Sequence, residues 1–240
     1  MITPPPDRRR RILNFLLMLL GVAVFGLLGT WQLNRSAERR AELEAFAKAG
    51  MSAPSAELPA GAYSGGYTRV RLAGRYVTDR QVLLDNMTHE GLRGYHVLTP
   101  LYTESGVVLV NRGFVAAGTD RSKLPEVAIG EDHREVSGLT APLFRPGLRL
   151  EEPLTGDSWP RRMIYPTADQ LRELIDRRLA DQQVLLADSE PDGFIRAWVP
   201  YGLTPERHLA YAVQWYGLAA AAIGIWLAVT IKRRRARNAV

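Results

Sequence analysis

No cysteine occurs among the 240 residues, so neither a disulfide framework nor a thiolate metal site is possible, and the folded part must hold together by its apolar core. Histidine is scarce too, at 4 residues. Three of them, His89, His96 and His133, have no spacing that makes a ligand set with carboxylates. Gly65-Gly66 and the pair Gly91 and Gly94 lack the strand-and-helix setting of a phosphate loop, and no serine sits in a nucleophile elbow. Asp85 and Glu104 are isolated acids, read as turn or hairpin residues. Nothing repeats at a fixed period. With no convergent acid, base and nucleophile, the sequence reads as a protein that is not an enzyme.

Charge is missing from two long stretches. Ile12 to Leu33 and Leu209 to Ile231 contain no Asp, Glu, Lys or Arg, and each exceeds the roughly 20 residues needed to cross a hydrocarbon core. Arg8, Arg9, Arg10 and Arg11 precede the first run; Lys232, Arg233, Arg234 and Arg235 follow the second. Cationic flanks set orientation, so both termini are expected in the cytoplasm and the middle on the far side. Residues 1–11 carry +3 and residues 232–240 carry +5 of the net +6, leaving −2 between them. The basicity therefore faces the anionic headgroups of a lipid bilayer, and no nucleic-acid partner is expected.

A cleaved signal peptide shares the basic and apolar opening, but Ala45-Phe46-Ala47 lies too far beyond the run to serve as its cleavage site. Trp31 and Gln32 end the run as a retained span would. No amphipathic, serine-rich presequence is evident, and a bacterial inner membrane is the simplest location. The expected organisation is a basic tail (1–11), a transmembrane helix (12–33), an extracytoplasmic domain (34–208), a second transmembrane helix (209–231) and a second basic tail (232–240).

Within the domain, Ser36 is placed to cap a membrane-proximal helix over 36–49, stopped by Gly50. A Pro, Ser and Gly rich linker follows from Ser52 to Gly66. Tyr67 to Val77 alternates Val70, Leu72 and Tyr76 with arginines, and with Gln81 to Met87 it reads as a hairpin. Gly94 to Tyr102 and Val107 to Val115 form a second hairpin across Thr103-Glu104-Ser105-Gly106. Arg134–Leu139, Gln183–Ala187 and Phe194–Trp198 are further expected strands. Thr167 to Leu179 has apolar residues at helical spacing behind a Thr167 cap. Ala116 to Trp159 is poorly patterned. The fold class is an integral membrane α+β protein: two transmembrane helices flanking an antiparallel, barrel-like β-rich extracytoplasmic domain with one or two helices.

Two spans of opposite direction bring their outer ends to one membrane depth. The first end supplies Trp31, Gln32 and Arg35. The second begins at Thr204-Pro205, a cap followed by proline at the first helical position, and carries Arg207, His208, Tyr211 and Trp215. His208, Tyr211 or Ala212, and Trp215 share a face. A neutral imidazole at a helix N-terminus keeps one nitrogen lone pair for a haem iron or another metal; an interfacial histidine bonded to backbone or headgroup is the alternative. Arg35 and Arg207 suit haem propionates or lipid phosphates. Gly26, Thr30, Gly217, Ala221 and Gly224 are small enough for close helix packing.

Four stretches together resemble the surfeit-locus family of cytochrome oxidase assembly factors: Gly29-Thr30-Trp31-Gln32-Leu33-Asn34-Arg35, Leu83 to Pro100, Val108 to Val115 and His208 to Gly217. The resemblance implies an assembly factor for a haem-copper terminal oxidase, helping haem a insertion into the catalytic subunit, with haem a synthase as a further partner. It puts the family's proposed haem ligand on His208, with Tyr211, Gln214 and Trp215 around it and Gly29, Trp31, Gln32 and Arg35 opposite. The alternative is a structural membrane chaperone that binds oxidase subunits without haem, for which Asn111, Arg112 and Gly113 are the residues to alter.

Overall fold

The computed structural model describes residues 8–58, 66–143, 158–164 and 166–238. The first seven and last two residues of the basic tails, residues 59–65 of the linker and residues 144–157 of the poorly patterned stretch lie outside them. Two compact units result, one from the chain's two ends (1–44 and 200–240), the other from residues 45–199.

The first unit contains two long helices, α1 (Arg8–Gly50), whose last turns belong to the second unit, and α3 (Pro205–Asn238). Both are long and apolar enough to cross a membrane. Thr204 and Pro205 open α3 as expected, with the Arg207 backbone N–H 3.4 Å from the Thr204 hydroxyl. The separate helix expected over 36–49 is instead the uninterrupted continuation of α1. Ser36 caps nothing, because nothing between Leu33 and Ala37 breaks the backbone ladder. Its buried hydroxyl donates to the Pro205 carbonyl oxygen at 2.9 Å.

Among the described residues, seven strands form the second unit: β1 (Arg69–Tyr76), β2 (Val82–His89), β3 (Leu92–Thr103), β4 (Gly106–Ala116), β5 (His133–Pro142), β6 (Arg161–Met163) and β7 (Leu179–Leu186), with α2 (Ala168–Leu174) before the last. They are ordered β1-β5-β7-β4-β3-β2-β6, and β1 also pairs with β3. That extra pairing, Arg75 with Tyr102 and Tyr76 with Leu101, closes five strands into a barrel and leaves β2 and β6 as an extension. Gly74 permits the closure, since a Cβ there would lie 2.5 Å from the Tyr102 carbonyl oxygen.

The barrel is present, but several expectations are corrected. The sheet is mixed, because β4–β7 and β2–β6 are parallel. β1 and β2 are not a hairpin; a 3-10 turn, Thr78–Arg80, turns the chain away and β1 pairs with β5. The hairpin partner of β2 is β3, through Glu90 (φ 48°) and Gly91 (φ 80°), both left-handed as a tight two-residue turn requires. The β3–β4 hairpin stands as expected, with Gly106 at φ 144°. Phe194–Trp198 reduces to one bridge, Ile195 with Phe114. The expected helix over 167–179 ends at Leu174, and Leu179 already belongs to β7; the Thr167 cap is confirmed by a reciprocal bond with Gln170.

Val70, Leu72, Tyr76, Leu101, Val108 and Val184 fill the barrel. Val107 and Leu109, on the other face of β4, pack with Leu98, Leu171 and Leu179 under α2. Both faces of β4 are thus covered, which is why it reads as a continuous apolar run.

Candidate functional site

Residues at alternating spacings of four and three line the seam of the helix pair: Phe25, Gly29, Gln32, Ser36 and Arg39 on α1. On α3 the corresponding residues are Pro205, His208, Ala212, Trp215 with Tyr216, and Ala219. This is the heptad pattern of two helices packed along their length. Gly29, Ser36, Arg39, Pro205, Ala212 and Ala219 are buried. Gly29 is the point of closest approach, where an added Cβ would come within 2.8 Å of the Tyr216 ring. Beside it the Thr30 and Tyr216 hydroxyls lie 2.9 Å apart. Phe25 stacks on Trp215 at 5.9 Å between centroids. Gly26, Gly217 and Gly224, expected at the contact, face no packed atoms within 4 Å.

Near the start of α3, His208 Nδ1 lies 2.8 Å from Gln32 Oε1. Two residues separated by 176 positions are joined there, and both are half-buried. Two turns further along α1, the Arg39 guanidinium is buried, bonding Glu42 at 2.6 Å and the Pro200 carbonyl oxygen. It closes the end of the helix pair. Arg39 was not among the candidate residues, although the spacing Gln32, Ser36, Arg39 announces it.

The remaining candidates surround the His208–Gln32 contact without joining it. Trp31 is 53% and Tyr211 42% exposed, and Ala212 rather than Tyr211 takes the seam position. Trp215 is half-buried against Phe25. Arg207 is exposed. Arg35 is exposed and pairs with Glu38 on its own helix at 2.7 Å. That pair lies in high dielectric, where exchange for another anion costs little.

In the barrel unit, polar residues serve the fold. Arg112, 2% exposed, donates to the Asp192 and Val127 carbonyl oxygens and to Gln81 Oε1, and Asn111 Nδ2 donates to Gln183 Oε1. His96 packs edge-on against Trp198, and burial, with the neighbouring His89 adding to it, pulls its pKa down to about 4. A cleft of about 490 Å³ is lined by Phe46, Arg69, Leu139, Asp188, Arg196 and Trp198. Its Arg196 is occupied by the Ala187, Glu190 and Asp188 carbonyl oxygens.

A haem site needs an axial ligand, for which a histidine nitrogen serves, aromatic or apolar surroundings and cations for the propionates. His208 offers one ring nitrogen engaged by Gln32 and a second with no partner among the described residues. Trp31 and Tyr211 provide exposed rings close in sequence to this pair, and Arg35 and Arg207 the cations. The donor set fits the group.

Fold and seam together define a class of protein in which a small mixed β-barrel is strung between two terminal helices of membrane-crossing length. A model of the SURF1 family matches residues 19–220, and the chain belongs to that family, known in general as oxidase assembly factors. It is 26% identical over 251 residues to Surfeit locus protein 1 of Takifugu rubripes, covering 92% of this chain and 98% of that protein. A SURF1-like protein of Rickettsia felis is 26% identical over 222 residues, covering 88% and 94%. Another, from Monosiga brevicollis, is 29% identical over 238 residues, covering 90% and 86%.

Proposed function

We propose that this protein is a membrane-anchored assembly factor that holds haem a transiently at the outer ends of α1 and α3 and passes it to the catalytic subunit of a haem-copper oxidase. The reading places α1 and α3 across a bacterial inner membrane with both basic tails in the cytoplasm and the barrel outside. His208 supplies the axial nitrogen, Arg35 and Arg207 face the propionates, and Trp31, Tyr211 and Trp215 supply aromatic surface. Haem a synthase is the donor partner.

The observation that carries this reading is the His208–Gln32 contact at 2.8 Å, which joins the two helix ends at a residue able to ligate iron. An exposed site at the end of a helix pair is suited to loading and release, whereas a closed cavity would retain its ligand. For the haem-free chaperone alternative, Asn111 and Arg112 are interior, so altering them is expected to destabilise the barrel as well as any surface above them.

The test is purification of the full chain from a strain making haem a, with and without His208→Ala. A Soret absorption present in the parent and lost in the variant is expected. Equal haem content in both would overturn the ligand assignment, and normal oxidase assembly by the variant would favour the chaperone.

A further inference from the structure

A neutral imidazole carries one N–H, and which nitrogen holds it decides which is left to bind a metal. In water the proton prefers Nε2, which leaves Nδ1, the nitrogen crowded by its own backbone, as the base. At the α1–α3 seam the Gln32 amide turns its oxygen toward His208 Nδ1 at 2.8 Å, and an amide oxygen only accepts.

We propose that Gln32 is the positioning residue of this site: by accepting a hydrogen bond from Nδ1–H it fixes His208 in the Nδ1–H tautomer and leaves the Nε2 lone pair as the iron-binding atom. The inference rests on the haem reading above. The contact is held from both sides. Ser36, one turn beyond Gln32 on α1, bonds the Pro205 carbonyl oxygen, one turn before His208 on α3. Thr30 and Tyr216 meet on the other side, beside the tight Gly29 contact. The amide therefore has a defined position against the ring rather than a rotating one.

The choice of an amide also bears on release. A carboxylate accepting the same proton draws it further from the ring and makes Nε2 a stronger donor to iron. A neutral amide orients the ring equally well and leaves the ligand weaker, as a carrier that must surrender its haem requires.

The test uses the full chain in detergent micelles with 15N-labelled histidine, comparing parent, Gln32→Met and Gln32→Glu. Without haem, the His208 nitrogen shifts are expected to report Nδ1–H in the parent and in Gln32→Glu, and loss of that preference in Gln32→Met, whose side chain has similar length but no oxygen acceptor. On titration with haem a, Gln32→Met is expected to bind about 10-fold or more weakly, and Gln32→Glu to release haem more slowly than the parent. An unchanged tautomer in Gln32→Met, or an Nε2–H ring in the parent, overturns the proposal while leaving His208 as ligand untouched. Haem retained by His208→Ala overturns the functional reading instead, whatever the tautomer.

Discussion

The helix pair and the barrel obey opposite rules of burial. In the barrel, Val70, Leu98, Leu101, Val108, Leu109 and Val184 are fully buried. In the helix pair, Leu27, Val213 and Ile225 are 72%, 66% and 65% exposed, while Ser36 and Arg39 are buried at 8% each. One unit is organised for water and excludes it from apolar surface. The other has an apolar exterior, joined by small residues and a few polar contacts, and its helices are long and apolar enough to cross a membrane. Polar side chains therefore differ in meaning between the two: buried ones in the barrel are structural, and those at the seam of the helix pair are candidates for function.

The comparison breaks most visibly if the barrel's polar interior is dispensable. Arg112→Met removes the arginine donor from the Asp192 and Val127 carbonyl oxygens and one of two donors from Gln81 Oε1, which keeps the Thr99 hydroxyl, and is expected to destabilise the barrel by roughly 3–5 kcal/mol. Urea unfolding monitored by tryptophan fluorescence should show it, with α1 and α3 still helical by circular dichroism. A near-parental midpoint would mean that this network is not structural.

A pH profile separates the units next. The depressed pKa of His96 means that the unfolded chain takes up a proton first as pH falls. Barrel stability is then full above about pH 6.5 and declines toward about pH 4, by up to about 3 kcal/mol. His96→Gln is expected to flatten the barrel's unfolding midpoint across that window; an unaltered slope would assign the dependence elsewhere.

Smaller again is the seam. Gly29→Val forces a side chain into the Tyr216 ring, should cost about 1–3 kcal/mol and should separate the helices. Trapping with a bifunctional thiol reagent between cysteines introduced at the Phe15 and Trp226 positions, whose rings lie 5.5 Å apart, measures that separation. Equal trapping efficiency in parent and variant would show that Gly29 does not set the approach. The smallest effect belongs to Arg35→Ala, which removes an exposed pair worth less than about 1 kcal/mol. Its unfolding midpoint should not move, so any loss of haem content in that variant reports on ligand contact alone.

Much of this was legible locally. The β3–β4 hairpin follows from alternation and a four-residue connection, and the Thr167 cap and the Thr204-Pro205 helix start follow from capping chemistry. Adjacency in sequence suggests a β1–β2 hairpin, whereas β1 pairs with β5 and its Arg75 and Tyr76 close onto Tyr102 and Leu101. Parallel β4–β7 pairing joins strands separated by more than sixty residues and carries no local signal. Ser36 was read as a cap because serine commonly is one, and only the neighbouring helix gives its hydroxyl another partner.

By itself the sequence determined two uncharged runs with arginines outside them, the strand periodicity of the domain and the residue types at the helix ends, since hydropathy and capping act over a few residues. Tertiary structure alone decided that five strands close on themselves, that Arg39 and Arg112 are buried while Arg35 and Arg207 are not, and that Gln32 meets His208. The physical reason is the same in each case. A buried donor must find an acceptor, and which acceptor it finds depends on how segments far apart in the chain are packed together.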